Sequence, residues 1–257
     1  ERLLLLRQVT ESGHSIGEIA SLSDEQLTTL LQEDQAAQLR SPAETQVQSE
    51  AGEAHVSACF EALERLDGAR IQAVLTRAAV ELGPARFIDL VVIPFLQRIG
   101  GLWEQGTLRP GHEHLASVAM RQVLGWLLET FQPANGAPTL VATTPAGQRH
   151  EFGAMLAAAI AATAGWRTVY LGPDLPAEEI AVIAREVDAQ AVALSVMYPN
   201  ENIMVADELR RLHGLLPAGT SVLVGGRAAH LYQRQLEGNG AEVIPDLRSL
   251  QERLRLS

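Results

Sequence analysis

From Thr139 onward the chain alternates short apolar runs with amphipathic stretches. The runs are Thr139–Thr143, Thr168–Leu171, Ala191–Val196, Ser221–Val224 and Glu242–Ile244. Between and after them lie helical patterns over Glu151–Ala164, Ala177–Val187, Glu201–His213, Ala228–Glu237 and Leu247–Leu256. Runs too short for helices, separated each time by a helix-length segment, require parallel strands joined by helical crossovers. Such a sheet is buried on both faces, which explains strands that are apolar throughout. The expected fold here is a doubly wound, Rossmann-like α/β domain.

Glu53–Phe131 has no strand signal. It contains four helical patterns, near Glu53–Leu66, Ala69–Leu82, Pro84–Gln105 and Arg109–Phe131, separated by Asp67-Gly68, Gly83-Pro84 and Gly106-Thr107. Glycine past a helix end and proline at a helix start are the expected punctuation. Short connections make the helices antiparallel neighbours, so a four-helix bundle is predicted. Ile88, Val91, Val92, Phe95, Ile99 and Trp103 fall at helical spacing on its third helix.

The first thirty residues read as short helices. Ser15/Glu18 and Ser23/Gln26 have the spacing of capping boxes. Gln32–Glu53 is polar and reads as a linker, with Ser41-Pro42 as a break. The single cysteine, Cys59, rules out an intrachain disulfide and a cysteine-based zinc site and is expected in the core. Phe87–Leu96 is too short, and too interrupted by Asp89 and Pro94, to span a bilayer. Glu1–Leu6 does not read as a secretory leader, so a cytoplasmic protein without membrane contact is expected. A net charge of −11 opposes non-specific binding of these residues to nucleic acid.

The loops at the carboxyl ends of the strands are where such a sheet places ligands. The first carries Gln148, His150 and Gly153; the third strand ends in Ser195-Val196-Met197; the fourth ends in Gly225-Gly226. A neutral histidine on a strand-to-helix loop is a candidate metal ligand. No Gly-x-Gly-x-x-Gly and no Gly-Lys-Ser/Thr is present, so a phosphate-cradling loop is not expected.

This set resembles the cobalamin-binding domain of methionine synthase, corrinoid methyl carriers and B12-dependent mutases, which reads Asp-x-His-x-x-Gly, Ser-x-Leu and Gly-Gly. The resemblance implies that His150 ligates cobalt from below and that Ser195 bonds the displaced nucleotide base. It implies that Gly225 and Gly226 let the nucleotide tail pass close to the backbone. Met197 stands in the leucine position. Gln148 replaces the acidic residue that would hold the ring N–H of His150, so a weaker orienting partner is expected.

Trp103 and Glu113-His114 are expected at one end of the bundle. With the flanking segments they resemble light-sensing B12 repressors of the CarH/LitR type. There the same three residues cap the upper face of adenosylcobalamin, with the Trp packed on the adenosyl group. Arg2-Leu-Leu-Leu-Leu-Arg7 and Gly13–Ala20 resemble the end of a MerR-type DNA-binding domain. The implied organisation is the last part of that domain over 1–34, a linker over 35–52, the bundle over 53–133 and the cobalamin domain over 134–257.

The resemblance implies a light-responsive repressor, not an enzyme. It would be tetrameric in the dark and contact operator DNA through a domain preceding Glu1. A histidine follows the Trp in well-studied members; here it is Glu104, so the usual histidine photoadduct is in doubt. His112 or His114 could substitute, or water could occupy that side of cobalt. A B12 or redox sensor that ignores light and a corrinoid carrier for a methyltransferase remain as alternatives. Arg149 and Asp174, beside the pocket, read as solvated charges when each is taken alone; their placement raises the hypothesis that they pair across a subunit interface.

Overall fold

The computed structural model describes residues 2, 5, 22–24, 26–30, 42–131, 133–198, 203–236 and 241–255. The chain divides into two compact units, Glu1–Ala54 and His55–Arg255.

In the first unit Leu22 and Leu27 are buried, with Leu5 and Leu30 packed against them. Ser23 and Gln26 form the expected capping box: Gln26 N–H donates to Ser23 Oγ at 3.2 Å and Ser23 N–H to Gln26 Oε1 at 2.7 Å. The Ser15/Glu18 box lies outside the described residues.

Helix α1 spans Pro42–Glu64. It starts inside the stretch read as linker, because proline at a first helical position lacks only an N–H that would have no partner there. Asp67 caps α2 (Gly68–Leu82), accepting from Arg70 N–H at 2.9 Å. The third expected helix is broken in its geometry. It runs as α3 (Pro84–Phe87), a π-helical turn (Ile88–Val92) and α4 (Ile93–Glu104). Pro94 explains this: in an α-helix its ring would meet the carbonyl of Leu90, and the wider turn relieves the clash. Helix α5 spans Pro110–Thr130.

Ile88, Val91, Val92, Phe95 and Ile99 are buried as expected; Trp103, at the end of α4, is instead 46% exposed. Cys59 is buried, and burial pushes its thiol up to about 12.

The remaining elements are β1 (Thr139–Thr143), α6 (Phe152–Thr163), β2 (Arg167–Tyr170), α7 (Ala177–Glu186) and β3 (Ala191–Ser195). Then come α8 (Ile203–Leu215), β4 (Ser221–Gly225), a 3-10 turn (Ala229–Tyr232), α9 (Gln233–Leu236), β5 (Ala241–Val243) and α10 (Leu247–Arg255). The strands form one parallel sheet, ordered β2-β1-β3-β4-β5. The order reverses between β1 and β3, the switch point at which such sheets hold ligands.

Strand side chains alternate between two cores. Leu140, Ala142, Ala191, Ala193 and Leu223 join α6, α10 and the bundle in one apolar cluster. Val141, Val192, Leu194, Val222 and Val224 pack with α7 and α8 on the other face. Bundle and sheet therefore share a core within one compact unit. No helix among the described residues is long and apolar enough to cross a membrane.

Candidate functional site

The loop leaving β1 is tied down on both sides. Thr144 Oγ1 donates to the Gln148 carbonyl and accepts from Asp174 N–H at 2.8 Å. Gly147 N–H donates to Asp174 Oδ1 at 2.7 Å. The sequence placed Gln148 beside His150 as its orienting partner, and the structure corrects this. Gln148 is only 2% exposed, and its amide is used elsewhere. Its Oε1 accepts from Met197 N–H at 3.1 Å and Tyr198 N–H at 3.3 Å, and its Nε2 donates to the Tyr198 carbonyl at 3.1 Å. The longer side chain reaches across the switch point and ties the β1 loop to the chain leaving β3.

His150 is exposed at the loop's end. Its ring lies 4.5 Å from that of Tyr198, tilted by 46°. Tyr198 was missed by the sequence reading; it follows the Ser-x-Met motif directly, and no spacing rule marks it. Arg149 Nε lies 3.7 Å from Asp174 Oδ2 within one chain, and both side chains are exposed. Neighbouring β1 and β2 bring their two loops together.

A cleft of about 600 Å³ opens at the carboxyl ends of β3 and β4, lined by Gly153, Ser195, Gly225, Gly226 and Ile244 among others. Two glycines keep it open. A methyl group at Gly153 would sit 2.2 Å from Ser195 Oγ. Gly226 has φ +101°, and a methyl group there would lie 2.5 Å from the Val196 carbonyl oxygen. Gly225 is less constrained: its added carbon would be 3.5 Å from the Ile244 carbonyl oxygen, an ordinary contact. Met197 flanks the same spot, its Sδ 3.9 Å from the carbon Gly153 lacks. Ser195 Oγ is buried and has no hydrogen-bond partner among the described residues. A buried hydroxyl left unpaired is costly, and a ligand atom that accepts from it removes that cost.

The bundle is fixed over the same edge. Glu104, next to Trp103, pairs with Arg227, next to Gly226, at 2.7 Å. Glu151, next to His150, accepts from Arg121 Nε of α5 at 2.6 Å and from Tyr170 Oη at 2.6 Å. Burial first, then the Glu151 carboxylate, raises the Tyr170 phenol above its ordinary value, so it remains a donor. These pairs join residues far apart in the chain, and no local pattern announces them. At the start of α5, Glu113 accepts from Ser117 Oγ at 2.7 Å, and His114 Nε2 lies 3.7 Å from Glu113 Oε2. Trp103, Glu113 and His114 are thus on the two helix ends that flank the α4–α5 turn.

Among the described residues no three His, Cys, Asp or Glu side chains are grouped to hold a metal ion. His150 is therefore suited to a metal that brings its other ligands with it. An orphaned hydroxyl above a glycine-lined cleft fits a flat heterocycle with an accepting ring nitrogen. The first feature fits a cobalt already held by a corrin ring, and the second fits the nucleotide base of a cobalamin.

Comparison with known proteins agrees. Residues 57–128 and 138–246 each match a family described as B12 binding domain. The chain is 30% identical over 232 residues to the HTH-type transcriptional repressor CarH of Myxococcus xanthus, covering 90% of this chain and 76% of that protein. It is 28% identical over 180 residues to the repressor CarA of the same organism, covering 69% and 59%. Dimethylamine corrinoid protein 1 of Methanosarcina acetivorans is 26% identical over 183 residues, covering 66% and 84%. The solved monomethylamine corrinoid protein of Methanosarcina barkeri shares the fold, with a TM-score of 0.58 at 17% identity over 76% of this chain and 93% of that one. Two B12-binding segments in the order bundle then sheet, on a chain aligned along most of its length with a repressor, lead to one assignment: the chain belongs to the CarH-type family of B12-binding transcriptional repressors.

Proposed function

We propose that this chain is the sensory part of a light-responsive repressor that uses adenosylcobalamin and contacts operator DNA through a MerR-type domain. The observation that carries this reading is the joining of the Trp103-bearing bundle and the His150-bearing sheet in one compact unit, with ion pairs beside both residues. A ligand between them is held by both, so a change in that ligand acts on both.

Each residue has a stated task. His150 offers a ring nitrogen to cobalt, and Glu151 behind it anchors the loop to α5 and β2. Ser195 donates to the nucleotide base, while Gly153 and Gly226 leave it room. Trp103 supplies a rigid apolar surface for the adenosyl group, and Glu113 and His114 supply polar contacts beside it. Adenosylcobalamin, when bound, supplies a cobalt–carbon bond that light breaks. An adenosyl group held against Trp103 would give bundle and sheet a shared contact that depends on the upper ligand. Such a ligand biases assembly only by binding the tetramer and the separate subunits differently.

The test is oligomer size by light scattering, in the dark with adenosylcobalamin or methylcobalamin and again after green illumination. The reading predicts a tetramer with the adenosyl form alone, lost on illumination. Tight binding with no change of size on illumination contradicts it. One observation favours a second reading, a B12 sensor that ignores light: Glu104 holds the position after Trp103 and is engaged with Arg227. That reading predicts assembly that follows cofactor addition and is the same in light and dark.

A further inference from the structure

The wall of the cleft is mostly apolar, through Leu156, Leu223, Ile244 and Leu250. Its charged members are Arg227 and Asp246. Asp246 is committed to α10: it accepts from Ser249 N–H at 2.7 Å, and that bond holds its carboxyl below the usual range. Arg227 is the one arginine among the described lining residues, and it follows Gly226 directly. Its Nη1 lies 2.7 Å from Glu104 Oε1. Both side chains are more than half exposed, at 69% and 55%. An exposed pair of this kind is weak and readily exchanged for another anion.

The nucleotide tail of a cobalamin carries one negative charge, on the phosphodiester that links its ribose to the corrin side chain. A chain with a net charge of −11 is a poor host for an anion unless a cation stands at the entrance. The planar guanidinium of arginine matches two phosphate oxygens at once, as it matches a carboxylate. We propose that Arg227 selects corrinoids with a complete nucleotide tail, its guanidinium passing from Glu104 to the tail phosphodiester, so that Glu104 and the tail compete for one cation. Entry of the tail then releases one bundle–sheet tie, at Glu104, and leaves the other, between Arg121 and Glu151. The inference rests on the placement of the tail in this cleft and is independent of any response to light.

The test is equilibrium titration of the full chain in the dark, followed by absorbance, with aquocobalamin and with cobinamide, which lacks the nucleotide. Arg227→Gln is expected to weaken cobalamin binding about fivefold and leave cobinamide binding unchanged. Arg227→Lys should keep most of the cobalamin affinity, because the charge remains. Glu104→Gln should act in the opposite direction, tightening cobalamin binding about threefold with no effect on cobinamide. The double variant should match Arg227→Gln. Raised salt should erode cobalamin affinity more in the parent protein than in Arg227→Gln. Arg227→Gln and Glu104→Gln shifting both corrinoids in the same direction would mean a bundle–sheet tie only and would overturn the proposal. An unchanged cobalamin-to-cobinamide ratio in Arg227→Gln would overturn it too. A parent protein that takes up neither corrinoid sinks the cofactor reading itself and the proposal with it. Matching circular dichroism spectra check that each variant is folded.

Discussion

Ser195→Ala should change stability and cofactor affinity in opposite directions. The Ser195 hydroxyl is buried without a partner among the described residues, so the protein free of ligand carries a desolvation cost of about 1–3 kcal/mol there. Alanine removes that cost and gives up little packing. At the lower end of the range, about 1 kcal/mol, the ligand-free Tm should rise by about 2–4 °C for a unit of this size. Binding loses the bond from the hydroxyl to the nucleotide base, a further net term of about 1 kcal/mol. The free protein's gain and the complex's loss add in the binding free energy. Their sum, about 2 kcal/mol, is about a thirtyfold rise in Kd. The assays are thermal melts with and without cobalamin and an absorbance titration in the dark. A ligand-free Tm that falls, together with a Kd within about twofold of the parent value, would refute the reasoning.

The cleft glycines should separate binding from stability. Gly153→Ala drives a methyl group against Ser195 and should lower cobalamin affinity by about tenfold or more, read by titration, with a stability loss of about 1–3 kcal/mol. Gly226→Ala meets backbone at positive φ and should cost about 2–5 kcal/mol, read as a far larger drop in Tm than at Gly153. Gln148→Ala strips the partners from the backbone at Met197 and Tyr198; a loss of about 2 kcal/mol and faster hydrogen exchange at those two amides are expected. The Asp246 carboxyl is depressed by its bonds to the α10 start. Its contribution is therefore present above the ordinary carboxylate range and lost as pH falls through the folded value. Acid titration monitored by circular dichroism should show this limb in the parent protein and a shallower one in Asp246→Asn.

The sheet was legible because its strands are apolar throughout and its loops end in Gly and polar residues. Each expected strand lies within a residue of an observed one, and His150, Ser195 and Gly226 stand on the edge the topology predicts. What was not legible involves reach and distance. Gln148 occupies the expected place in the motif, but its extra methylene lets it bond the 197–198 backbone. Helical spacing put Trp103 in line with the core set, yet the chain reaches the end of α4 there and leaves the indole half exposed. Pro42 and Pro94 were ambiguous locally: one starts a helix and the other widens a turn. The Glu104–Arg227 and Arg121–Glu151 pairs exist only because the bundle packs on the sheet. Tyr198 gains its role from the curl of the chain past β3, which brings it against His150.

The central claim is that His150, not the cofactor's own base, ligates cobalt while that base lies in the Ser195 cleft. Electron paramagnetic resonance of the bound cob(II)alamin form tests it directly, using protein labelled throughout with the heavy nitrogen isotope and unlabelled cofactor. The account predicts doublet superhyperfine splitting from a labelled protein nitrogen, absent in His150→Ala. Triplet splitting from an unlabelled nitrogen would mean that the cofactor's base stays on cobalt, and would contradict the account.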